Sequence, residues 1–108
     1  MIVEVRVYHC LPGRLPALHD RFTSTTLGFF DKYGIKQIGF WSTLIGPTNH
    51  ALTYMLNWES LAERETKWDA FQSDPEWITK RTASEAEKSI VERVENYFLM
   101  PTPYSALK

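Results

Sequence analysis

The chain has 108 residues, 44% of them hydrophobic, and its 12 basic and 13 acidic residues give a net charge of -1. A chain of this length forms one domain and buries roughly two thirds of the surface that its unfolded form exposes, so we expect a single domain over residues 1–108. The balanced charge, without a Lys/Arg run, argues against nucleic acid as a partner. The single cysteine, Cys10, excludes an intrachain disulfide.

The first elements are a strand and a helix. Residues 1–8 alternate apolar and polar side chains, which predicts a strand that ends at Leu11-Pro12-Gly13. This alternation is not that of a secretory signal, and no stretch approaches 18 apolar residues, so we expect a cytoplasmic protein without a membrane partner. Apolar residues then recur at steps of three or four and predict a helix to about Tyr33, where Gly34 stops it.

The middle of the chain predicts a β-hairpin. Residues 35–45 and 50–58 are rich in β-forming residues and are joined by Gly46-Pro47-Thr48-Asn49, a composition typical of a tight turn. We expect the two strands to pair antiparallel.

A second helical region and a last strand follow. Ser60 and Glu63 form a capping box, in which Ser60 accepts a first-turn N–H and Glu63 reaches back to the N–H of Ser60. Asp74 and Pro75 restart the helix as N-cap and first helical residue. Residues 90–100 alternate again and predict a strand. The apolar anchors of the two helical pieces are Leu61, Trp68, Phe71, Trp77 and Ile78. Those of the last strand are Val94, Phe98 and Met100.

The resulting order, β-α-β-β-α-β, predicts an α+β fold with a four-stranded antiparallel sheet and both helices on one face. The other face then meets solvent or a partner. We expect it to carry Glu4, Arg6, Tyr8, Gln37, Trp41, Thr43, Thr53, Met55, Asn57, Arg93, Glu95 and Tyr97. This set is too aromatic for a solvated face and too charged for a dry core. A register with Arg6 opposite Glu95 and Tyr8 opposite Arg93 would neutralise its charges.

The same residues resemble the NIPSNAP family over nearly the whole chain. The resemblance rests on Glu4-x-Arg6-x-Tyr8 with Pro12-Gly13, Gly39-Phe40-Trp41, residues 60–65, Asp74-Pro75-Glu76-Trp77 and residues 101–105. It implies a ferredoxin-like fold whose sheets pair in a homodimer to form an α+β barrel. The family has no agreed catalytic motif, so the resemblance leaves the reaction open.

Candidate site residues follow from the expected outer face. We expect Glu4, Arg6, Tyr8, Trp41, Asn57, Arg93, Glu95 and Tyr97 to bind a small polar or aromatic molecule, with the Arg6 guanidinium, beside aromatic walls, holding a carboxylate or a planar polar molecule. We expect no metal and no cofactor, because His9, His19 and His50 share no ligand spacing and the predicted topology separates His9 from His50 by roughly 20 to 25 Å. Cross-strand charge pairs are also common as register devices without a binding role.

Three functions fit these observations. The first is a dimeric barrel that binds a small molecule. The second is a cofactor-independent oxygenase or isomerase, which needs a titratable group such as Glu4 or Glu95 in the pocket. The third is a scaffold whose dimer surface is its function. An open pocket favours the first two, and a barrel filled by side chains favours the third.

Overall fold

A computed structural model describes all 108 residues. The sheet is fully antiparallel with strand order β2-β3-β1-β4, so the predicted α+β, ferredoxin-like topology is confirmed. The strands are β1 (Ile2–Cys10), β2 (Lys36–Ser42), β3 (Ala51–Trp58) and β4 (Val91–Leu99). The helices are α1 (Leu15–Arg21), α2 (Leu27–Tyr33), α3 (Leu61–Gln72) and α4 (Pro75–Ser84). No helix is both long enough and apolar enough to cross a membrane.

The first helix contains one turn that the sequence pattern does not predict. Residues Phe22–Thr26 form a π-helical turn between α1 and α2, and the N–H of Leu27 donates to the carbonyl of Phe22. This turn is the run Phe-Thr-Ser-Thr-Thr. Thr23 and Ser24 donate their hydroxyls to the carbonyls of His19 and Asp20, a local competition that bends helices. The helix ends as predicted at Gly34, which has φ of 67°.

The caps of α3 and α4 are those expected, with one difference. Ser60 Oγ accepts the N–H of Glu63 at 3.1 Å, whereas Glu63 Oε1 receives the N–H of Glu59, not of Ser60. Asp74 accepts the N–H groups of Glu76 and Trp77 at the start of α4. The caps therefore fix both helix starts. Of the predicted helix anchors, Trp68, Phe71 and Trp77 are buried, whereas Leu61 and Ile78 are exposed.

The predicted hairpin turn is too short. Strand β2 ends at Ser42 and strand β3 begins at Ala51, so residues 43–50 form a longer connection than the predicted turn of residues 46–49. A bulge between Gln37 and Gly39 shifts the register of β2 and places Gln37 in a groove with Phe40 and Leu52, on the helix side. The expectation that Gln37 lies on the outer face is therefore wrong, whereas Trp41, paired with Thr53, does lie there.

The two faces of β1 are the reverse of those predicted from the sequence. Glu4, Arg6 and Tyr8 point towards the helices, whereas Val3, Val5 and Val7 point to the outer face. The register also differs: Arg6 pairs with Asn96 and Tyr8 with Val94, so the predicted Arg6–Glu95 and Tyr8–Arg93 pairs do not form. The physical reason is that the polar set finds its own hydrogen-bond partners under the helices. The helix-side core around it is largely aromatic and contains Phe22, Phe30, Tyr54, Trp58, Trp68, Phe71 and Trp77.

We expect Ser60→Ala to lower the free energy of unfolding by about 1 kcal/mol without changing the oligomeric state, because it removes one acceptor at the start of α3. Ser60→Thr keeps the hydroxyl and should differ from the wild type by only about 0.3 kcal/mol. Chemical denaturation of the three proteins measures both values, and equal stability of the Ala variant and the wild type would contradict the capping role.

Asp74 should make stability depend on pH. Hydrogen bonds from Lys32 and Tyr33, at 2.8 and 2.5 Å, and from the N–H groups of Glu76 and Trp77 hold the pKa of Asp74 well below its usual range despite the opposing effect of burial. A lowered folded-state pKa gives stability that is full above the unfolded pKa, about 3.9, and is lost as the pH falls towards the folded value.

Asp74→Asn keeps a cap but removes this charge. We expect the variant to be less stable than the wild type at pH 7, and the difference in free energy of unfolding to shrink below about pH 4. Lys32→Met should remove part of the same acid dependence from the wild-type chain. Urea denaturation between pH 2 and 7 checks this, and a difference that does not change with pH would rule out the charge as its cause.

Candidate functional site

The centre of the helix-side face is a buried carboxylate. Glu4 is fully buried, and its two oxygens accept hydrogen bonds from Arg6, Arg64, Trp58 and Asn96 at 2.8 to 3.2 Å. Burial raises the pKa of Glu4, but the hydrogen bonds from Arg64 and Asn96 and the two guanidinium charges outweigh it, so its pKa lies below the ordinary value. Glu4 is therefore ionised and serves two cations at once.

Arg6 is fixed by three acceptors. Its Nη1 donates to Glu4 Oε2 at 3.1 Å, its Nε to Tyr54 Oη at 2.8 Å and its Nη2 to Tyr8 Oη at 3.3 Å. Its guanidinium lies 4.5 Å from the ring centroid of Trp68 in α3, within the range of a cation–π contact. Burial lowers the pKa of Arg6, but Tyr54, Tyr8 and Glu4 raise it above the ordinary value, so the guanidinium stays charged.

A pocket of about 400 Å³ opens above this network, between the sheet and the helices. Arg6, Tyr8 and Tyr54 form its floor. Its walls come from the first helix, α3 and α4, and the aromatic wall residues are Phe22, Phe30, Trp68, Phe71 and Trp77. The volume lies within the range of small-molecule sites.

The π-helical turn contributes two of the wall residues. Phe22 and Thr26 are its first and last residues, and both are buried and line the pocket. The ring of Phe22 packs edge-on against Tyr54, with centroids 5.4 Å apart. Turns of this kind occur often at functional sites, and here the turn shapes one wall.

Most polar groups of the walls are donors, although Gln72 and Thr26 also carry acceptor oxygens, and no Asp or Glu lines the pocket. Arg21 Nη1 donates to Ser84 Oγ at 3.2 Å and lies 3.6 Å from a carboxylate oxygen of Glu85, and Arg81 Nη1 donates to Gln72. Two buried wall donors, Arg21 Nε and Trp77 Nε1, have no acceptor in the chain. The walls therefore have a surplus of N–H groups. Each unpaired buried donor lowers the stability of the fold by about 1–3 kcal/mol.

The structure divides the predicted site residues between two faces. Glu4, Arg6 and Tyr8 belong to the helix side. The remaining five lie on the outer face, because each pairs either with an odd-numbered residue of β1 or with Thr53. They are Trp41, Asn57, Arg93, Glu95 and Tyr97. Glu95 pairs there with His9 at 2.6 Å and not with Arg6. The eight residues therefore do not form one site.

The predicted separation of His9 and His50 is wrong. Strands β1 and β3 are antiparallel neighbours, and the N–H of Cys10 donates to the carbonyl of His50 at 2.8 Å, so His9 and His50 lie near each other at one end of the sheet. Both line a surface groove there. No group of three His, Cys, Asp or Glu side chains is placed to hold a metal ion.

Sequence reasoning missed the helix walls of the pocket. Trp68 and Trp77 read as core residues because they fall on apolar helix stripes, and they are indeed buried, but they also line the pocket. Arg21 and Arg81, which also line the pocket, are not among the residues predicted from the sequence. The signal available in the sequence was weak: Arg21 follows Leu18 by three residues, the spacing of the apolar residues in this helix.

Comparison with known proteins identifies the family. The NIPSNAP family model matches residues 3–106. A NIPSNAP family protein of Agrobacterium tumefaciens is 24% identical, with a TM-score of 0.87 and coverage of 99% of this chain and 98% of that one. An uncharacterized NIPSNAP domain protein of Burkholderia xenovorans is 22% identical, with a TM-score of 0.84 and coverage of 97% and 98%.

A more distant similarity extends to a putative antibiotic biosynthesis monooxygenase of Nitrosomonas europaea, at 8% identity, a TM-score of 0.64 and coverage of 94% of this chain and 98% of that one. At these identities the structural similarities show the fold alone. No curated protein matches the chain. Because the family model covers nearly all of the sequence, the chain belongs to the NIPSNAP family.

Proposed function

We propose that this protein binds a small molecule with a flat apolar body in the pocket between its sheet and its helices. The observation that carries the proposal is the pocket itself: about 400 Å³, five aromatic wall residues, and a floor of polar groups held in place by hydrogen bonds. Apolar walls with a few fixed polar groups are the usual composition of a ligand site. The site differs from the one expected from the sequence, because it lies under the helices.

Binding is better supported than the enzymatic alternative. A cofactor-independent oxygenase or isomerase needs a base that reaches the substrate. Of the two carboxylates offered by the sequence, Glu4 lies behind Arg6 with a lowered pKa, and Glu95 lies on the outer face. Neither lines the pocket, so proton abstraction by a carboxylate has no support in the geometry.

We further propose that the protein is a homodimer through its outer face. No helix covers this face, and Trp41, Tyr97 and Leu99 are each about half exposed on it. Apolar area of this kind on a monomer marks an interaction surface, and a second copy offers the same mixture of aromatic, Met and charged residues in return. A cytoplasmic location, expected from the sequence, stays a prediction.

Binding in the pocket can be tested with the indole N–H signals of the four tryptophans in ¹⁵N-labelled protein. Trp68 and Trp77 line the pocket, whereas Trp58 is in the core and Trp41 is on the outer face. We expect benzamide, benzoate or phenol to shift the Trp68 and Trp77 signals and to leave that of Trp41 in place. Thr26→Phe should block the pocket and abolish the shifts, with Trp58 reporting that the fold is intact.

Gly28→Phe, at an exposed position just after the turn where an added Cβ meets no atom within 4 Å, is the control and should bind like the wild type. The proposed function fails if no probe moves the Trp68 and Trp77 signals more than that of Trp41. It also fails if the Thr26→Phe variant binds as well as the wild type.

The dimer can be tested by light scattering. We expect a particle of twice the 12.6 kDa chain mass at micromolar concentration. Tyr97→Glu places a charge opposite Val5 at the middle of the outer face and should give monomers. Ile78→Glu, at an exposed apolar residue of α4, is the control and should stay dimeric. A monodisperse 12.6 kDa wild-type species would disprove the dimer.

A further inference from the structure

The floor of the pocket has more donor hydrogens than acceptors. A guanidinium carries five N–H groups, and Arg6 uses three of them on Glu4, Tyr54 and Tyr8. One N–H on each of its terminal nitrogens therefore remains. Arg6 keeps 12% of its side chain exposed and lines the pocket, so these groups are within reach of a ligand.

The hydroxyl of Tyr8 adds a third donor. Tyr54 is fully buried, and its oxygen accepts the Nε–H of Arg6, so its proton goes to Tyr8 Oη at 3.0 Å. Tyr8 Oη then accepts from both Tyr54 and Arg6. Its own proton has no acceptor in the chain, and Tyr8, like Arg6, lines the pocket.

The charge at the floor is also unbalanced. Glu4 is the one carboxylate that pairs with both Arg6 and Arg64, so the three groups together carry one excess positive charge. The helix walls add the guanidinium of Arg81 and the unpaired N–H groups of Arg21 and Trp77, whereas the charge of Arg21 is paired with Glu85, which does not line the pocket. The pocket therefore offers a ligand donors, positive charge and aromatic surface.

From this arrangement we infer that the ligand is a monocarboxylate on a flat aromatic body, with its carboxylate seated on the free N–H groups of Arg6 and the hydroxyl of Tyr8. The inference rests on the proposed binding function and names its ligand class. A carboxylate has two oxygens that can accept from both free N–H groups of the guanidinium and from the tyrosine hydroxyl. Its single charge equals the excess of Arg6, Arg64 and Glu4 beside the proposed carboxylate position, whereas a phosphate monoester carries about -1.5 to -2 at pH 7. The ring then lies between the aromatic walls.

The test compares three probes of the same ring: benzoate, benzamide and phenyl phosphate, titrated while the indole signals of Trp68 and Trp77 are followed. Benzamide has nearly the shape of benzoate but no charge. We expect benzoate to bind at least tenfold more tightly than benzamide, because a hydrogen bond to a charged group is the stronger kind. Phenyl phosphate should bind more weakly than benzoate.

Three variants locate the carboxylate. Tyr8→Phe removes the free hydroxyl, and Arg6→Lys keeps the charge that Glu4 requires but loses the planar pair of N–H groups. Each should weaken benzoate binding about tenfold and change benzamide binding by less than about twofold, which a mere loss of structure would not do. Lys80→Gln, which removes a charge from the exposed side of α4 next to Arg81, is the control and should leave both affinities unchanged.

The outcomes separate the two proposals. If benzamide and benzoate shift the pocket tryptophans with equal affinity, the site binds flat molecules but the carboxylate inference is wrong. Tighter binding of phenyl phosphate overturns it in favour of a phosphate ester. If neither Tyr8→Phe nor Arg6→Lys changes benzoate binding, the proposed position of the carboxylate on Arg6 and Tyr8 is wrong. If none of the three probes reaches Trp68 or Trp77, the proposed function itself fails, and the inference fails with it.

Discussion

The carboxylate of Glu4 is the constraint on which the rest of the structure depends. A charge with no exposure to solvent is tolerated only with a full set of donors, and Glu4 collects them from β1, β3, α3 and β4. These contacts join the first strand, the start of α3 and the last strand into one unit. They also hold Arg6 on the sheet with its remaining N–H groups towards the helices. The pocket floor is therefore a by-product of satisfying one buried acid.

Local signals in the sequence were sufficient for the fold and insufficient for its faces. Caps and stops such as Ser60, Asp74 and Gly34 act through the backbone nearby, so they predict the element order and the ferredoxin-like topology correctly. The alternation in β1 identifies two sets of side chains but not which set meets the helices. The valines read as core by hydropathy, yet the polar set lies under the helices, because its partners Arg64 and Asn96 come from distant parts of the chain.

The sequence predicts only those contacts of the candidate site that depend on neighbouring residues of one strand. Arg6 and Tyr8 were singled out correctly as neighbours on one strand face, since residues two apart in a strand share a face. They were grouped with Trp41 and Glu95, which lie on the opposite face, because the two faces of β1 were exchanged in the prediction, which set Arg6 opposite Glu95 in place of Asn96. A one-residue slip exchanges the faces, and a tertiary arrangement decides it. The helix residues of the pocket, Trp77 among them, share no sequence spacing with the strand residues.

The π-helical turn has a consequence for how chain length may vary among relatives. Such a turn amounts to one residue inserted into an α-helix, and each residue rotates the helix by about 100°. The turn takes up that residue locally, so deleting one residue from the run 22–26 would restore a regular helix with α1 and α2 facing as they do now. Making the turn α-helical with all of its residues kept would instead rotate α1 relative to α2 by about 100°. In that regular helix of unchanged length Leu18 and Phe30, both buried now, would no longer face the sheet together. A family member with a one-residue gap here would therefore keep the faces of its first helix and lose only the widened turn from this wall of the pocket.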